Sequence, residues 1–362
     1  MHTTRYCFIF TITMAVDGFF AFAFAKPGTS ALLYFLRMIK CYFLLVCLLP
    51  VISFKVGCQQ LLVAVKQAKG TVVVYDAKAN KQLYEIAVGY KPHEIAYDPA
   101  SRLCFVTNFG VEDYDTKLGI PGNSVSVIDP FAGKNVSTLF TTTDTAGNMP
   151  HGLKVRPGKF KELFVNVEKN DSMIVYSLPG YALIRKFALP AGTHNFIFSK
   201  DGSRLWLMCG TAGVMEVNPE DGRTMHKQAT ASPIRGLAFI SNDILASGRN
   251  EIYILSQKDL SLRKQYSNLG VGQLFYSCAS DDGKFIICPA AFDSTVLVLD
   301  AGNGKVLARL QTDKTPLQVQ VAGNYAYITH PLDKHISVID LKKMKVSGTI
   351  DIDGGNGILY IP

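Results

Sequence analysis

The sequence predicts an all-β fold: a seven-bladed β-propeller of four-stranded antiparallel blades, its ring closed by the C-terminal strand joining the N-terminal blade. Three observations predict it. A phrase of about four strand-forming residues, usually ending in Asp, Asn or Ser, recurs seven times. Each repeat divides into short β-rich runs separated by turn residues. The two chain ends match different strands of the unit, so each can complete the other.

The phrase reads Val72-Val73-Val74-Tyr75-Asp76, then Val125-Ser126-Val127-Ile128-Asp129, Met173-Ile174-Val175-Tyr176-Ser177 and Val214-Met215-Glu216-Val217-Asn218. Ile252-Tyr253-Ile254-Leu255-Ser256, Val296-Leu297-Val298-Leu299-Asp300 and Ile336-Ser337-Val338-Ile339-Asp340 complete the set. The steps between terminal polar residues are 53, 48, 41, 38, 44 and 40. A period of about forty residues with strands inside it describes one supersecondary unit copied around an axis.

One unit shows the strands in order. Glu94–Asp98 is an inner strand ending at Pro99, and Leu103–Thr107 is the second. Ser124–Ile128, mostly β-branched, is the third, and Asn135–Phe140 is the fourth. Pro99-Ala100-Ser101 and Asp129-Pro130-Phe131-Ala132-Gly133-Lys134 are turns. The chain enters at Leu61–Val65, which matches a second strand, and ends at Ile358–Ile361, which matches an inner one. The missing inner strand of blade one therefore comes from the C-terminus, and an open edge disappears.

Cys104-Phe105-Val106-Thr107-Asn108 followed by Ser124–Asp129 resembles the YVTN-type β-propeller repeat, with Phe for the usual Tyr. Tyr327-Ile328-Thr329 followed by His330–Asp340 fits the same pattern. The resemblance spans residues 61–362. It implies the fold; for function it spans surface proteins, lactonase-like enzymes and quinoprotein-like redox propellers.

Residues 1–58 read as an address. Met38-Ile39-Lys40 is a short basic start, preferred as the translation start over Met1, and Cys41–Phe54 is an apolar run interrupted by Pro50. Lys55-Val56-Gly57-Cys58 follows, resembling a bacterial lipoprotein signal in which Cys58 carries the lipid, although Lys55 stands where an aliphatic residue is usual. The expected location is the bacterial cell envelope, periplasmic or outer-membrane-attached, with the lipid as the membrane anchor; plain secretion and membrane retention are the alternatives.

The formal net charge of +8 is spread in short runs such as Lys342-Lys343-Met344-Lys345, which argues for a solvated surface and against a nucleic-acid partner. A monomer is expected. Eight cysteines contain no CxxC pair and no haem-attachment C-x-x-C-H. Cys278 is expected opposite about Phe285, out of register with Cys288, so buried free thiols are the reading. No P-loop, G-x-G-x-x-G or G-x-S-x-G is present.

Strand direction places the approaches to inner strands and the second-to-third connections on one face, here called the top. The aligned approaches are Pro92-His93-Glu94, Pro150-His151-Gly152, Thr193-His194-Asn195, Ile234-Arg235-Gly236, Val271-Gly272-Gln273, Pro316-Leu317-Gln318 and Gly355-Asn356-Gly357. Three histidines and an arginine in consecutive equivalent slots converge on the channel mouth. Two long blade-two loops, 109–122 and 141–149, are expected to overhang His93 and His151. His330 and His335 are expected exposed on the top face, His226 on the outer rim and Trp206 in the core.

The ligand-binding candidates are His93, His151, His194, Arg235, Gln273, Gln318, Asn356, Asp113 and Asp115. Three readings stay open. His93, His151 and His194 hold a divalent transition metal, aided by Asp113 or Asp115. Imidazole and Arg235 bind an anionic ligand. Or the Pro-His turns are structural. The function expected is binding of a soluble small molecule or an envelope protein at the top funnel. A lactone hydrolase and a redox accessory protein are the alternatives.

Overall fold

The computed structural model describes residues 60–112 and 115–362. The expectations for 1–58, including Met38 and Cys58, and for Asp113, lie outside the described residues. Among the described residues no helix is long and apolar enough to cross a membrane.

Seven four-stranded antiparallel sheets form, as the repeat predicts. Six are consecutive in sequence. The seventh joins Gly355–Ile361 to Leu61–Lys66, Thr71–Asp76 and Lys81–Ala87. Leu61 pairs with Ile361 and Ala64 with Ile358, so the C-terminus supplies the missing inner strand.

The recurring phrase is the third strand of each blade, and its terminal polar residue has a local task. Asp129 Oδ1 accepts the amides of Phe131 and Ala132, and Asp76 accepts those of Lys78 and Ala79. Asp300 and Asp340 do the same. These Asx turns start the reversal into the fourth strand. Fourth strands carry exposed residues on the outer rim, and His226 sits there bonded to Glu216 Oε2 at 2.7 Å. Second and third strands are buried and pack blade on blade, with Trp206 fully inside.

The four described cysteines are free. Cys278 pairs with Ile287, not with Phe285, because the turn holds two more residues than expected. Burial pushes the Cys288 thiol up to about 12 and the Cys209 thiol to about 11, so neither is a nucleophile.

Candidate functional site

Strand register defines the equivalent slots. In blade two, Pro92 pairs with Asn108 but Ile95 with Val106, so an extra residue bulges at His93-Glu94. Blade three repeats this between Pro150 and Leu153, around His151. A bulge re-aims side chains, here toward the axis. Thr107 Oγ1 accepts the amide of Glu94, and Thr329 Oγ1 that of Gln318, which satisfies the bulged backbone. Following the register round the ring gives His93, His151, His194, Arg235, Phe275, Leu317 and Asn356 as the seven slots.

Blade six therefore departs from the expected alignment. The Phe275 amide donates to Pro289 O, as the Arg235 amide does to Ser247 O, which puts the slot two residues after Gln273. The blade-six inner strand shrinks to Cys278–Ala279 and its approach lacks a Pro-His marker. Gln273 instead bridges Arg249, and its Nε2 donates to Leu274 O at 2.9 Å.

The top face holds a funnel, a cavity of about 630 Å³. Its walls come from inner-strand approaches and second-to-third connections, the two loop classes that strand direction assigns to that face. His194, Arg235, Gln273 and Asn356 line it. His93 and His151 do not: both are fully buried. Phe109, at the start of the long blade-two loop, packs edge-on to their rings at 5.4 and 4.7 Å. The described residues of that loop fold back on themselves. Ile120 N donates to Gly110 O, and Gly122 O receives the amides of Asn148 and Met149 from the other long loop. Asp115 lies at its exposed tip, where Oδ1 accepts the Lys117 amide, and takes no part in the funnel.

The three imidazoles form a file. His93 and His151 centroids are 4.1 Å apart, and His151 and His194 are 3.9 Å apart. His151 Nδ1 lies 2.9 Å from the His194 carbonyl, and His194 Nδ1 lies 2.5 Å from Glu168 Oε1. Glu168 was not among the sequence candidates. It sits in the short blade-three second-to-third connection, Glu168-Lys169-Asn170-Asp171, which reads as a solvent turn. Its position on the histidine face was the one available signal.

Beneath the slots the next residues form a second tier: Glu94, Gly152, Asn195, Gly236, Tyr276, Gln318 and Gly357. Glu94, Asn195, Tyr276 and Gln318 line a smaller cavity of about 180 Å³. Gln318 thus belongs to this lower chamber, where Nε2 donates to Glu94 Oε1 at 2.7 Å. A Cβ on Gly357 would lie 2.4 Å from His93 O, and one on Gly236 would lie 2.5 Å from Tyr276 N. Glycine there lets neighbouring inner strands close around the axis.

His330, expected exposed, is fully buried. It occupies the register position of Asn108. Asn108 receives the Gly89 amide and donates to Ser126; His330 bonds Lys314 O at 3.0 Å and Ser337 Oγ at 2.9 Å. Both side chains tie a blade approach to the third strand. Burial holds the His330 imidazole below its usual value, against the pull of the Lys314 carbonyl and of Asp313 and Asp333. His335 is partly exposed and bonds Asp313 at 3.0 Å.

In the blade next to that of His194 the chemistry changes. Arg235 and Arg249 line the cavity, and neither forms an ion pair with an acid among the described residues. Beside them Phe275 and Phe292 meet edge-on at 5.9 Å, with Phe292 80% and Leu332 57% exposed at the rim.

No family model matches the sequence, and no curated protein matches it either. Solved structures do resemble the fold. A chain of Kuenenia stuttgartiensis hydrazine synthase aligns with TM-score 0.62 at 17% identity, over 77% of this chain and 92% of that one. A functionally unknown protein from Desulfotomaculum acetoxidans aligns with TM-score 0.64 at 15% identity, over 83% and 98%. The dihydro-heme d1 dehydrogenase NirN, in complex with DHE, aligns with TM-score 0.58 at 13% identity, over 83% and 74%. At these identities the likeness is one of fold, and it agrees with the seven blades: the chain is built as a seven-bladed β-propeller.

Proposed function

We propose that this chain is an exported, lipid-anchored propeller of the YVTN type that binds an anionic organic ligand in its top funnel. The observation that carries the reading is the pair Arg235 and Arg249, set without acidic partners among the described residues beside Phe275 and Phe292. A guanidinium takes a carboxylate or phosphate through two parallel hydrogen bonds, and the aromatic wall takes an apolar body. The polar and charged side chains fix orientation while the rings bury area.

Export and anchoring rest on the Met38–Lys40 start, the apolar run 41–54 and Cys58. Leu61 begins a strand that runs toward the funnel face, so a tether just before it leaves the funnel turned to solvent. That geometry suits capture of a soluble ligand or of an anionic group on an envelope protein.

The test is a thermal-shift and calorimetric screen of aromatic and aliphatic carboxylates and phosphates against the purified protein. Binding that weakens with salt, and falls at least tenfold in Arg235→Ala and Arg249→Ala, is the expected result. Indifference of every binder to both substitutions refutes the reading. A second reading, lactone hydrolysis, is favoured by one contact, the His194–Glu168 pair at 2.5 Å in the cavity wall, which has the form of an oriented general base. A pH-stat lactone panel with His194→Gln beside the parent decides it.

A further inference from the structure

We propose that His151, Glu168 and His194 bind a divalent transition-metal ion in the funnel wall. One donor atom from each lies within 4.8 Å of the other two. Two imidazole nitrogens and one carboxylate oxygen suit zinc, cobalt, iron or nickel better than calcium or magnesium. The set differs from the three histidines that the repeat alone suggests, because His93 lies on the far side of His151 from Glu168 and enters as a packing partner.

The surroundings are those a metal ligand needs. His151 Nδ1 lies 2.9 Å from the His194 carbonyl and 3.7 Å from Glu168 Oε1, so an ion taken by that nitrogen displaces the carbonyl contact. Phe109 and His93 pack against the His151 ring and fix its plane. His194 and Glu168 face the cavity while His151 is fully buried. Three protein donors on one side thus leave a coordination position open to the funnel, where a ligand carboxylate or water completes the shell.

In the ion-free protein His194 Nδ1 and Glu168 Oε1 are 2.5 Å apart. An ion between them parts the pair by roughly 0.4–0.9 Å, from octahedral to tetrahedral angles, at ligand distances of about 2.0–2.2 Å. Imidazole and carboxylate must both be deprotonated to ligate, so binding weakens in acid. The other grouping of this kind among the described residues, Asp313, Asp333 and His335, is poorer. Both Asp333 oxygens already accept backbone amides, from Lys314 and Lys334.

The test is titration of the chelator-stripped full chain, in detergent and without organic anions, with Co²⁺ and Zn²⁺. Calorimetry and the cobalt absorption spectrum are read together. One equivalent is expected. Glu168→Gln and His194→Gln each weaken it at least tenfold, while His335→Gln leaves it unchanged. Circular dichroism confirms that the variants are folded. The proposal is overturned if the parent takes up no ion at millimolar concentration, or if its one equivalent survives both Glu168→Gln and His194→Gln. The titration contains no anionic ligand, so its failure leaves the anion-binding reading to its own test.

Discussion

Removing residues 355–362 should abolish the native state. The segment is the inner strand of blade one, and it pairs with Leu61–Lys66 through Leu61–Ile361, Leu62–Tyr360, Val63–Leu359 and Ala64–Ile358. Ile358, Leu359 and Ile361 are each less than a tenth exposed. At about 1.5–3 kcal/mol for each buried aliphatic side chain, their loss removes roughly 5–9 kcal/mol. The lost ladder adds about 1 kcal/mol per hydrogen bond. Total stability of folded domains is about 5–15 kcal/mol, so the deletion consumes most or all of it. It also bares Leu61-Leu62-Val63-Ala64-Val65 as an apolar edge strand, a template for aggregation. Size-exclusion chromatography, far-UV circular dichroism and urea unfolding of the truncated chain read the outcome. Aggregates or loss of the cooperative transition are expected, with partial rescue by a peptide of the eight missing residues added in trans. A truncated monomer that unfolds cooperatively within about 2 kcal/mol of the parent refutes the claim that the C-terminal strand closes the ring.

Gly357→Ala should cost about 1–3 kcal/mol in urea unfolding, because the new Cβ meets the His93 carbonyl at 2.4 Å and backbone must shift. Trp206→Ala, at a fully buried second-strand position, should cost about 3–5 kcal/mol by the same measurement. His330 has a folded-state pKa below its ordinary 6.5, so in acid the unfolded chain takes up the proton first. Its contribution is therefore fully present above pH 6.5 and lost as pH falls from there through the folded value. His330→Asn, which copies the Asn108 arrangement, should flatten that part of the stability–pH curve; an unchanged slope refutes the assignment.

The fold was legible because a propeller advertises itself through period. Seven third strands, five ending in an Asx-turn residue and two in Ser, repeat closely enough to count, and the mismatch of the two termini announces the closure. The site was legible only where a residue type marked the slot. Pro92-His93 and Pro150-His151 stand out, but Phe275 looks like any aromatic, and the weak inner strand of blade six gives no second marker. His330 misled because a histidine after a strand suggests a solvent-facing loop, while its register equivalence to Asn108 makes it a buried tie. Glu168 was missed because a short charged turn is indistinguishable in sequence from a solvated one. What turned it inward is the His194 ring from the next blade, a contact between residues whose separation in sequence carries no pattern.

The slots show how a repetitive scaffold acquires direction. An axis lined by seven equal residues would hold a ligand in any of several rotations. Here Phe109 seals His93 and His151 away, so the funnel is offered only part of the ring. Of that part, His194 with Glu168 presents nitrogen and carboxylate, and Arg235 with Arg249 presents cationic charge. Phe275 and Leu317 follow as apolar wall. A ligand with one anionic end and one apolar side gains from every wall in a single orientation, and loses the guanidinium contact when rotated by one blade. The floor is closed by the second tier, where Gly357 leaves room for Gln318 to reach over to Glu94. That bond spans the blade between them, so it couples the shape of the floor to the strand that closes the ring. Loosening the C-terminal strand should therefore widen the lower chamber before the blades separate, and Gln318→Ala should lower stability without changing what the Arg235 wall binds.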